Sequence, residues 1–177
     1  MRRLVKQDYM LLKTPLGWVG VGWTVSGLWS SSLPMGNPAD VLSRLEKYGE
    51  LGQEKDFPAI RRDLEKYFAG ERVDFTHHPV DWGGCTPFRQ DVLRVTAAIP
   101  HGEVRTYRDL ARAVGNPGAG RAVGGVMAYN PLPLIIPCHR VVRSDGSLGG
   151  FAGGLVLKAR LLELEGIELP MALCKGK

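Results

Sequence analysis

The chain has 177 residues, of which 44% are hydrophobic and 23% are charged, with a formal net charge of +5 and a pI near 9.3. This length suits one ordinary domain or two small ones, and the hydrophobic share is that of a globular protein that buries a core. The positive charge is too moderate for a histone-like tail, but it favours a polyanionic partner.

The cysteines and the first residues bear on the compartment. Cysteines stand at positions 85, 138 and 174, an odd number with no Cys-x-x-Cys pair, which argues against a disulfide framework or a four-thiolate zinc site. Arg2 and Arg3 are not followed by the apolar stretch of a signal peptide, and no run is as long as a membrane span. We therefore expect a soluble protein of the reducing cytoplasm.

Short apolar stretches separated by glycine and proline predict a small antiparallel sheet near the N terminus. The predicted strands cover residues 9–13, 18–24 and 28–32. Two helices should follow, one from Pro38, capped by Asn37, to Gly49, and one over 57–69. Their apolar faces would be formed by Val41, Leu42, Leu45 and Tyr48, and by Ile60, Leu64, Tyr67 and Phe68. This half contains no catalytic constellation and is interpreted as a scaffold.

Residues 79–84 contain a proline and a glycine pair and form the best domain boundary. We predict an N-terminal αβ domain over 1–84, a C-terminal domain over 85–170 and a flexible basic tail over 171–177 that carries Cys174 as a bystander. Thr86 and Pro87 should begin a helix that reaches Ile99, and a short strand should cover 104–106.

The next segment has the pattern of a helix-turn-helix. Thr106 can cap a helix over 107–114, and the glycines and proline of 115–118 interrupt it before a second helix over 119–129. The second helix is rich in small residues, namely Ala119, Gly120, Ala122, Gly124, Gly125 and Ala128. Such a surface permits either tight helix packing in the core or close approach of another molecule.

Residues 134–142 place a thiol, an imidazole and a guanidinium side by side after an apolar run. A thiolate is a strong nucleophile, and a neighbouring histidine or cation makes that charge easier to form. Pro137 should interrupt regular structure just before Cys138. The alternative is a buried cysteine that serves only as a small hydrophobic residue.

Several motifs around Cys138 resemble those of the O6-alkylguanine-DNA alkyltransferase family. They are Arg121-Ala122-Val123-Gly124, Asn130-Pro131, Pro137-Cys138-His139-Arg140-Val141-Val142, Gly153-Gly154 and Leu161-Leu162-Glu163-Leu164-Glu165-Gly166. The resemblance is close from about Thr86 to Ile167, whereas the first half is similar to the variable N-terminal domain of the family only in size and pattern. It implies an α+β protein: an N-terminal domain with a small antiparallel sheet and helices, and a mostly helical C-terminal domain with a helix-turn-helix and a Pro-Cys-His-Arg active-site loop.

The resemblance implies repair of O6-alkylguanine, and of O4-alkylthymine as a further substrate, by irreversible single-turnover transfer of the alkyl group to Cys138. His139 would take the thiol proton through a water molecule, and Glu165 would orient the histidine. Asn130 would hold the active-site loop to the helix-turn-helix. From periodicity alone, Glu165 could equally be a solvated carboxylate, and only the resemblance selects it over Glu163.

The resemblance also implies a partner, double-stranded DNA bound through its minor groove with the target base flipped out of the stack. Arg121 would occupy the vacated space. Tyr107 would help to rotate the nucleotide and contact the guanine. Phe151 and Ala152 stand where many members have tyrosine and serine, so side-chain hydroxyls are absent there. The implied substrate contacts are Tyr107, Met127, Pro133, Val141, Phe151, Ala152 and Lys158, and the implied DNA contacts are Thr106, Ala119, Arg121, Gly124 and Gly125.

The last predicted helix covers 155–165 and is amphipathic, with Lys158 and Arg160 on its polar side. Lys158 matches a family lysine near the site, with an ordinary surface lysine as the alternative.

No cofactor is expected, and the protein should be monomeric. Some family members carry a zinc ion whose ligands include cysteines near the N terminus, but this chain has no cysteine before Cys85. We therefore predict no metal site, and we expect His77 and His78 to lie at a strand edge or in a linker. The alternative functions are a non-catalytic binder of alkylated DNA, a transcriptional regulator and a Cys-His hydrolase.

Overall fold

The computed structural model describes residues 8–45, 50–51 and 58–168. The chain divides into two compact units, Met1–Gly83 and Gly84–Lys177. The predicted tail over 171–177, Cys174 and the predicted helix boundaries at Gly49 and Phe57 lie outside the described residues.

The first unit contains a four-stranded sheet in the order β3-β2-β1-β4. The strands β1 (Asp8–Thr14), β2 (Gly17–Thr24) and β3 (Gly27–Ser31) are antiparallel neighbours, which confirms the predicted sheet. The strand β4 (Glu50–Leu51) pairs with β1 in parallel and was not predicted. Two residues are too few to show the alternation by which a strand is recognised in a sequence.

Two helices accompany this sheet. Helix α1 (Pro38–Leu45) begins where Asn37 accepts a 2.9 Å hydrogen bond from the amide of Ala39, as its predicted cap should. Its buried residues Val41 and Leu45 pack against Tyr9 of β1. Helix α2 (Pro58–Phe68) buries its predicted apolar face, Ile60, Leu64, Tyr67 and Phe68.

The second unit is mostly helical. It comprises α3 (Pro87–Ala97), β5 (Arg105–Thr106), α4 (Tyr107–Ala113), α5 (Gly120–Ala128), β6 (Val141–Val142) and α6 (Gly154–Leu164). Strands β5 and β6 pair in parallel. The predicted caps are confirmed: Thr86 accepts from the amide of Arg89, and Thr106 forms a reciprocal capping box with Asp109. Helices α4 and α5 form the predicted helix-turn-helix.

None of the described helices is both long enough and apolar enough to cross a lipid bilayer.

Candidate active site

Cys138 lies at the start of a one-turn 3-10 helix, Cys138–Arg140, between a buried loop and β6. The loop before it contains Leu134, whose φ of 75° is in the left-handed region that non-glycine residues rarely adopt. Such a conformation costs about 1–3 kcal/mol and persists only where the surroundings enforce it. Cys138 is only 8% exposed, so its thiol is displayed inside the unit rather than on its surface.

Asn130 joins this loop to the helix-turn-helix. It follows the last residues of α5, and its side-chain amide donates a 2.8 Å hydrogen bond to the carbonyl of Ile136. Its Oδ1 accepts a 3.0 Å bond from the amide of Leu132. A hydrogen bond from Asn130 also favours the thiolate form of Cys138. One side chain therefore contacts both ends of the loop and the thiol.

His139, Arg140 and Glu165 form a buried cluster next to the thiol. The Nε2 of His139 lies 2.7 Å from Oε1 of Glu165, and both residues have side chains that are 0% exposed. Arg140 donates to the same carboxylate from Nε at 2.8 Å and from Nη2 at 3.0 Å. The amide of Gly102 adds a fourth donor at 3.2 Å. The carboxylate therefore links the last turn of α6 to two residues of the Cys138–Arg140 turn.

Arg140 connects three segments of the second unit, a structural role that was not predicted from the sequence. Besides its two bonds to Glu165, it donates from Nη1 to the carbonyl of Ile99 at 2.5 Å, beyond the end of α3. A buried guanidinium needs a carboxylate partner, because an unpaired charge in the interior is very costly. The position of Arg140, two residues after Cys138, was the feature of the sequence that could have suggested this role.

Burial sets the resting charges of this cluster. It raises the pKa of the Cys138 thiol, although the Asn130 hydrogen bond and the charge of Lys158 act in the opposite direction. Burial lowers the pKa of His139 more than Glu165 raises it. Burial also opposes ionisation of Glu165, but His139 and Arg140 outweigh it and hold the pKa of that carboxyl well below its usual range. At neutral pH the set therefore holds a thiol, a neutral imidazole and a carboxylate.

Lys158 is not on a polar helix face, and that prediction was wrong. The residue is fully buried in α6, where its Nζ donates to the carbonyls of Val141, at 2.6 Å, and Leu148. The ring of Phe151 lies 5.9 Å from the ammonium. Burial lowers the pKa of Lys158 to about 8, with the charge of Cys138 acting the other way. Carbonyl partners, which helical periodicity cannot reveal, allow a lysine to occupy a core position.

Tyr107 borders the same region at the first turn of α4. Its half-buried hydroxyl lies 3.5 Å from the carbonyl of Gly150. A Cβ at Gly149, whose φ is +69°, would lie 3.2 Å from the Tyr107 ring and hydroxyl, so a side chain there would be strained and would crowd Tyr107. Burial raises the pKa of Tyr107, and the charge of Cys138 adds to the effect. The phenol therefore stays protonated as a hydrogen-bond donor.

The other predicted substrate contacts differ in burial. Met127, Pro133 and Val141 are buried, Phe151 is half-buried and Ala152 is exposed. Met127 accepts a 3.7 Å contact from the hydroxyl of Thr96, which ties it to α3.

Helix α5 presents three glycines that no side chain in the described part of the second unit covers. A Cβ at Gly120, Gly124 or Gly125 would meet no atom within 4 Å outside the helix's own backbone. Tight packing in the core therefore does not explain these glycines. Arg121 is exposed on the same helix, and Ala119 is its N-cap residue. The hydroxyl of Thr106, in contrast, is engaged with Asp109 in the capping box.

The chain has two compact units, and the second combines a helix-turn-helix with a buried cysteine, histidine and glutamate. These features are those of a DNA-binding protein with a nucleophilic cysteine. Residues 87–167 match the family model described as the DNA-binding domain of 6-O-methylguanine DNA methyltransferase. A methylated-DNA–protein-cysteine methyltransferase of Methanothermobacter thermautotrophicus is 39% identical over 163 residues, which cover 89% of this chain and 85% of that relative. One of Mycobacterium leprae is 44% identical over 67% of this chain and 71% of its own length.

Solved structures agree with these relatives. The O6-methylguanine methyltransferase of Mycobacterium tuberculosis superposes with a TM-score of 0.74 at 32% identity, over 93% of this chain and 96% of that one. The OGT of the same organism in complex with DNA gives a TM-score of 0.75 at 34% identity, over 89% and 92% of the two chains. The chain belongs to the methylated-DNA–protein-cysteine methyltransferase family.

Proposed function

We propose that this protein repairs DNA by transferring the alkyl group of O6-alkylguanine, or of O4-alkylthymine, in duplex DNA to Sγ of Cys138. The observation that carries the proposal is the hydrogen-bonded set of His139 and Glu165 beside that buried thiol. A cysteine that only filled space would not need a neighbouring imidazole, a carboxylate and a buried ammonium. Membership of the family supports the same reading.

The chemical step forms a bond between sulfur and the alkyl carbon and breaks the bond from that carbon to O6. The thiol proton passes to Nδ1 of His139 through a water molecule, because Nε2 is directed at Glu165. Glu165 stabilises the imidazolium that forms. The Tyr107 hydroxyl gives its proton to the departing guanine, which leaves neutral, and the proton taken up by His139 returns through water to the Tyr107 oxygen, so that one proton passes overall from the thiol to the guanine. No group of the site removes the alkyl group from the thioether. Each chain therefore acts once, and the reaction needs no cofactor.

The DNA would be bound through its minor groove by α5. Its glycines, whose Cβ positions are open, would allow the duplex backbone to approach closely, and Ala119, Gly124, Gly125 and Thr106 would contact the DNA. Arg121 would enter the base stack and offset part of the cost of flipping the target nucleotide, a few kcal/mol.

The flipped base would lie between Tyr107 on one side and the loop that carries Phe151 and Ala152 on the other. Met127, Pro133 and Val141 supply the buried apolar contacts, and Lys158 fixes the Val141 carbonyl. The backbone carbonyls of Cys138 and Val141 would accept from the exocyclic amine. Each already accepts one protein hydrogen bond, which leaves its second lone pair for the base.

In this proposal the C-terminal domain, 85–170, binds DNA and carries the chemistry. The N-terminal domain, 1–84, is a scaffold. The protein acts as a monomer in the cytoplasm and associates with the nucleoid when it is bound to DNA.

The test is the stoichiometry of repair on duplex DNA that contains one O6-methylguanine, with restored guanine as the measurement. The expected result is a plateau at one repaired lesion per chain. Repeated turnover on esters or amides would indicate a hydrolase, and tight lesion binding without repair would indicate a non-catalytic binder.

The same assay tests the DNA interface with Arg121→Ala. The repair rate of duplex DNA should fall by about tenfold or more, because about 1.4 kcal/mol or more of flipping energy is no longer offset. Reaction with the free base O6-benzylguanine should be unchanged, since no stack is opened. Arg160→Ala, which removes an exposed arginine of α6, is the matched control. Equal losses on duplex and free base would contradict the assigned role.

A further inference from the structure

A large aromatic side chain lies in solvent at the end of α5. Tyr129 is the C-cap residue of this helix and is 77% exposed, whereas Val123 and Met127 on the other side of the helix are buried. Arg121, Gly125 and Tyr129 are spaced four residues apart, so they lie along one side of α5. That side is open, because a Cβ at Gly125 would meet no described atom within 4 Å outside the helix's own backbone.

The backbone of Tyr129 is held in place, although its ring is exposed. Its amide donates to the carbonyl of Val126 at 3.2 Å, and its carbonyl accepts a 2.5 Å hydrogen bond from Nη2 of Arg89 in α3. Single exposed apolar side chains are normal on protein surfaces, so exposure alone assigns no role. Tyr129 is distinguished by its position, because its ring continues the side of α5 on which Arg121 stands.

Arg89 brings a positive charge to the same end of the helix. Its Nε is buried without a hydrogen-bond partner, and no carboxylate in the described part of the chain lies within 4 Å of its guanidinium. A guanidinium carries five N–H donors in a planar fork that matches a phosphate group. An exposed aromatic ring beside an arginine without a counter-charge therefore fits a sugar-phosphate backbone better than it fits an apolar protein surface.

We propose that Tyr129 and Arg89 form a second DNA contact on one flank of the lesion, with the Tyr129 ring packed on deoxyribose in the minor groove and the Arg89 guanidinium bound to a phosphate. This contact rests on the proposed function, since it requires duplex DNA along α5. Eight residues of helix span about 12 Å, and base pairs follow one another every 3.4 Å or so. The second DNA contact therefore lies about three base pairs from the nucleotide whose place Arg121 takes.

The first measurement is the affinity of the full chain for undamaged duplex DNA, by fluorescence anisotropy across a series of salt concentrations. Tyr129→Ala should weaken binding by about fivefold or more at every salt concentration, which is comparable with the loss of one aromatic contact to a nucleotide. Tyr129→Phe keeps the ring and should bind as the wild type does. Because the ring is exposed, neither substitution should change the melting temperature.

The salt dependence tests Arg89 separately from its hydrogen bond to the end of α5. Arg89→Gln should weaken binding and reduce the slope of log affinity against log salt concentration by about one, because one phosphate is no longer neutralised. A purely structural loss would leave that slope unchanged. Arg89→Lys retains the charge and should keep the slope. Arg44→Gln, which removes an exposed arginine of α1, is the matched control and should keep both affinity and slope.

Duplexes that are shortened on one side locate the contact. They carry one O6-methylguanine and are bound by Cys138→Ser, which cannot accept the alkyl group. The effect of Tyr129→Ala in this background should vanish when one flank is cut to about two base pairs, and it should persist when the other flank is cut.

Four results would each overturn the proposal: wild-type affinity in Tyr129→Ala, equal losses in Tyr129→Ala and Tyr129→Phe, an unchanged salt slope in Arg89→Gln, or an effect that survives shortening of either flank. Self-association that Tyr129→Ala abolishes at unchanged DNA affinity would assign this surface to a second copy of the chain instead. The measurements on undamaged DNA do not require alkyl transfer, so a failed repair assay and a failed second DNA contact are distinguishable.

Discussion

Glu165→Gln should lower the free energy of unfolding by about 3–5 kcal/mol and slow alkyl transfer by about a hundredfold or more. The substitution keeps the shape of the side chain but removes the negative charge that pairs with the buried Arg140 guanidinium, which donates to both carboxylate oxygens. It also removes the carboxylate that contacts Nε2 of His139 at 2.7 Å and would stabilise the imidazolium. Urea denaturation measures the first effect, and single-turnover repair measures the second.

The same substitution should change the response to acid. The pKa of Glu165 is held below its ordinary value of 4.5, so its ionisation stabilises the fold above that value and this contribution is lost as the pH falls below it. Glu165→Gln should therefore lose less stability than the wild type between neutral and acidic pH. Glu163→Gln, two residues earlier and exposed, is the matched control and should change neither quantity. Equal effects at the two positions would contradict the assignment of Glu165.

Lys158→Met should slow alkyl transfer by about tenfold or more at neutral pH, a loss of about 1.4 kcal/mol in transition-state stabilisation. Lys158 places a buried positive charge near the thiol, where it favours the thiolate form of Cys138. Methionine has a similar length and no charge, so it fills the space but does not stabilise the thiolate electrostatically. Single-turnover rate constants, measured for both proteins across a pH series, test this expectation.

The pH dependence of the rate constant distinguishes an electrostatic role of Lys158 from a purely structural one. Its pKa of about 8 means that the ammonium is charged below that pH and neutral above it. The ratio of wild-type to Lys158→Met rate constants should therefore be largest below pH 8 and should approach one above it. A ratio that is constant across the series would show that only the two carbonyl contacts matter. Lys66→Met, which removes an exposed lysine of α2, should leave the rate unchanged.

Local patterns in the sequence were sufficient for much of the fold. The caps at Asn37, Thr86 and Thr106 were predictable because a cap is a contact between residues two or three positions apart. The three antiparallel strands followed from alternation and from the turns between them. The parallel strand β4 was missed, because its pairing with β1 joins segments that are distant in sequence.

Contacts of the site between residues that are far apart in sequence could not be predicted from local patterns. Only the resemblance selected Glu165 over Glu163, and the bonds from Arg140 to Glu165 and Ile99 cross 25 and 41 residues. Lys158 was assigned to a polar face because its charge suggested exposure, whereas carbonyl partners allow its burial.

The most direct test of the central claim is the mass of the intact protein, followed by peptide mapping, after incubation with duplex DNA that carries one O6-methylguanine. The account predicts one added methyl group per chain, located on the peptide that contains Cys138, and no adduct in Cys138→Ser. A methyl group on another residue, or an unmodified protein in a reaction that has restored guanine, would contradict it.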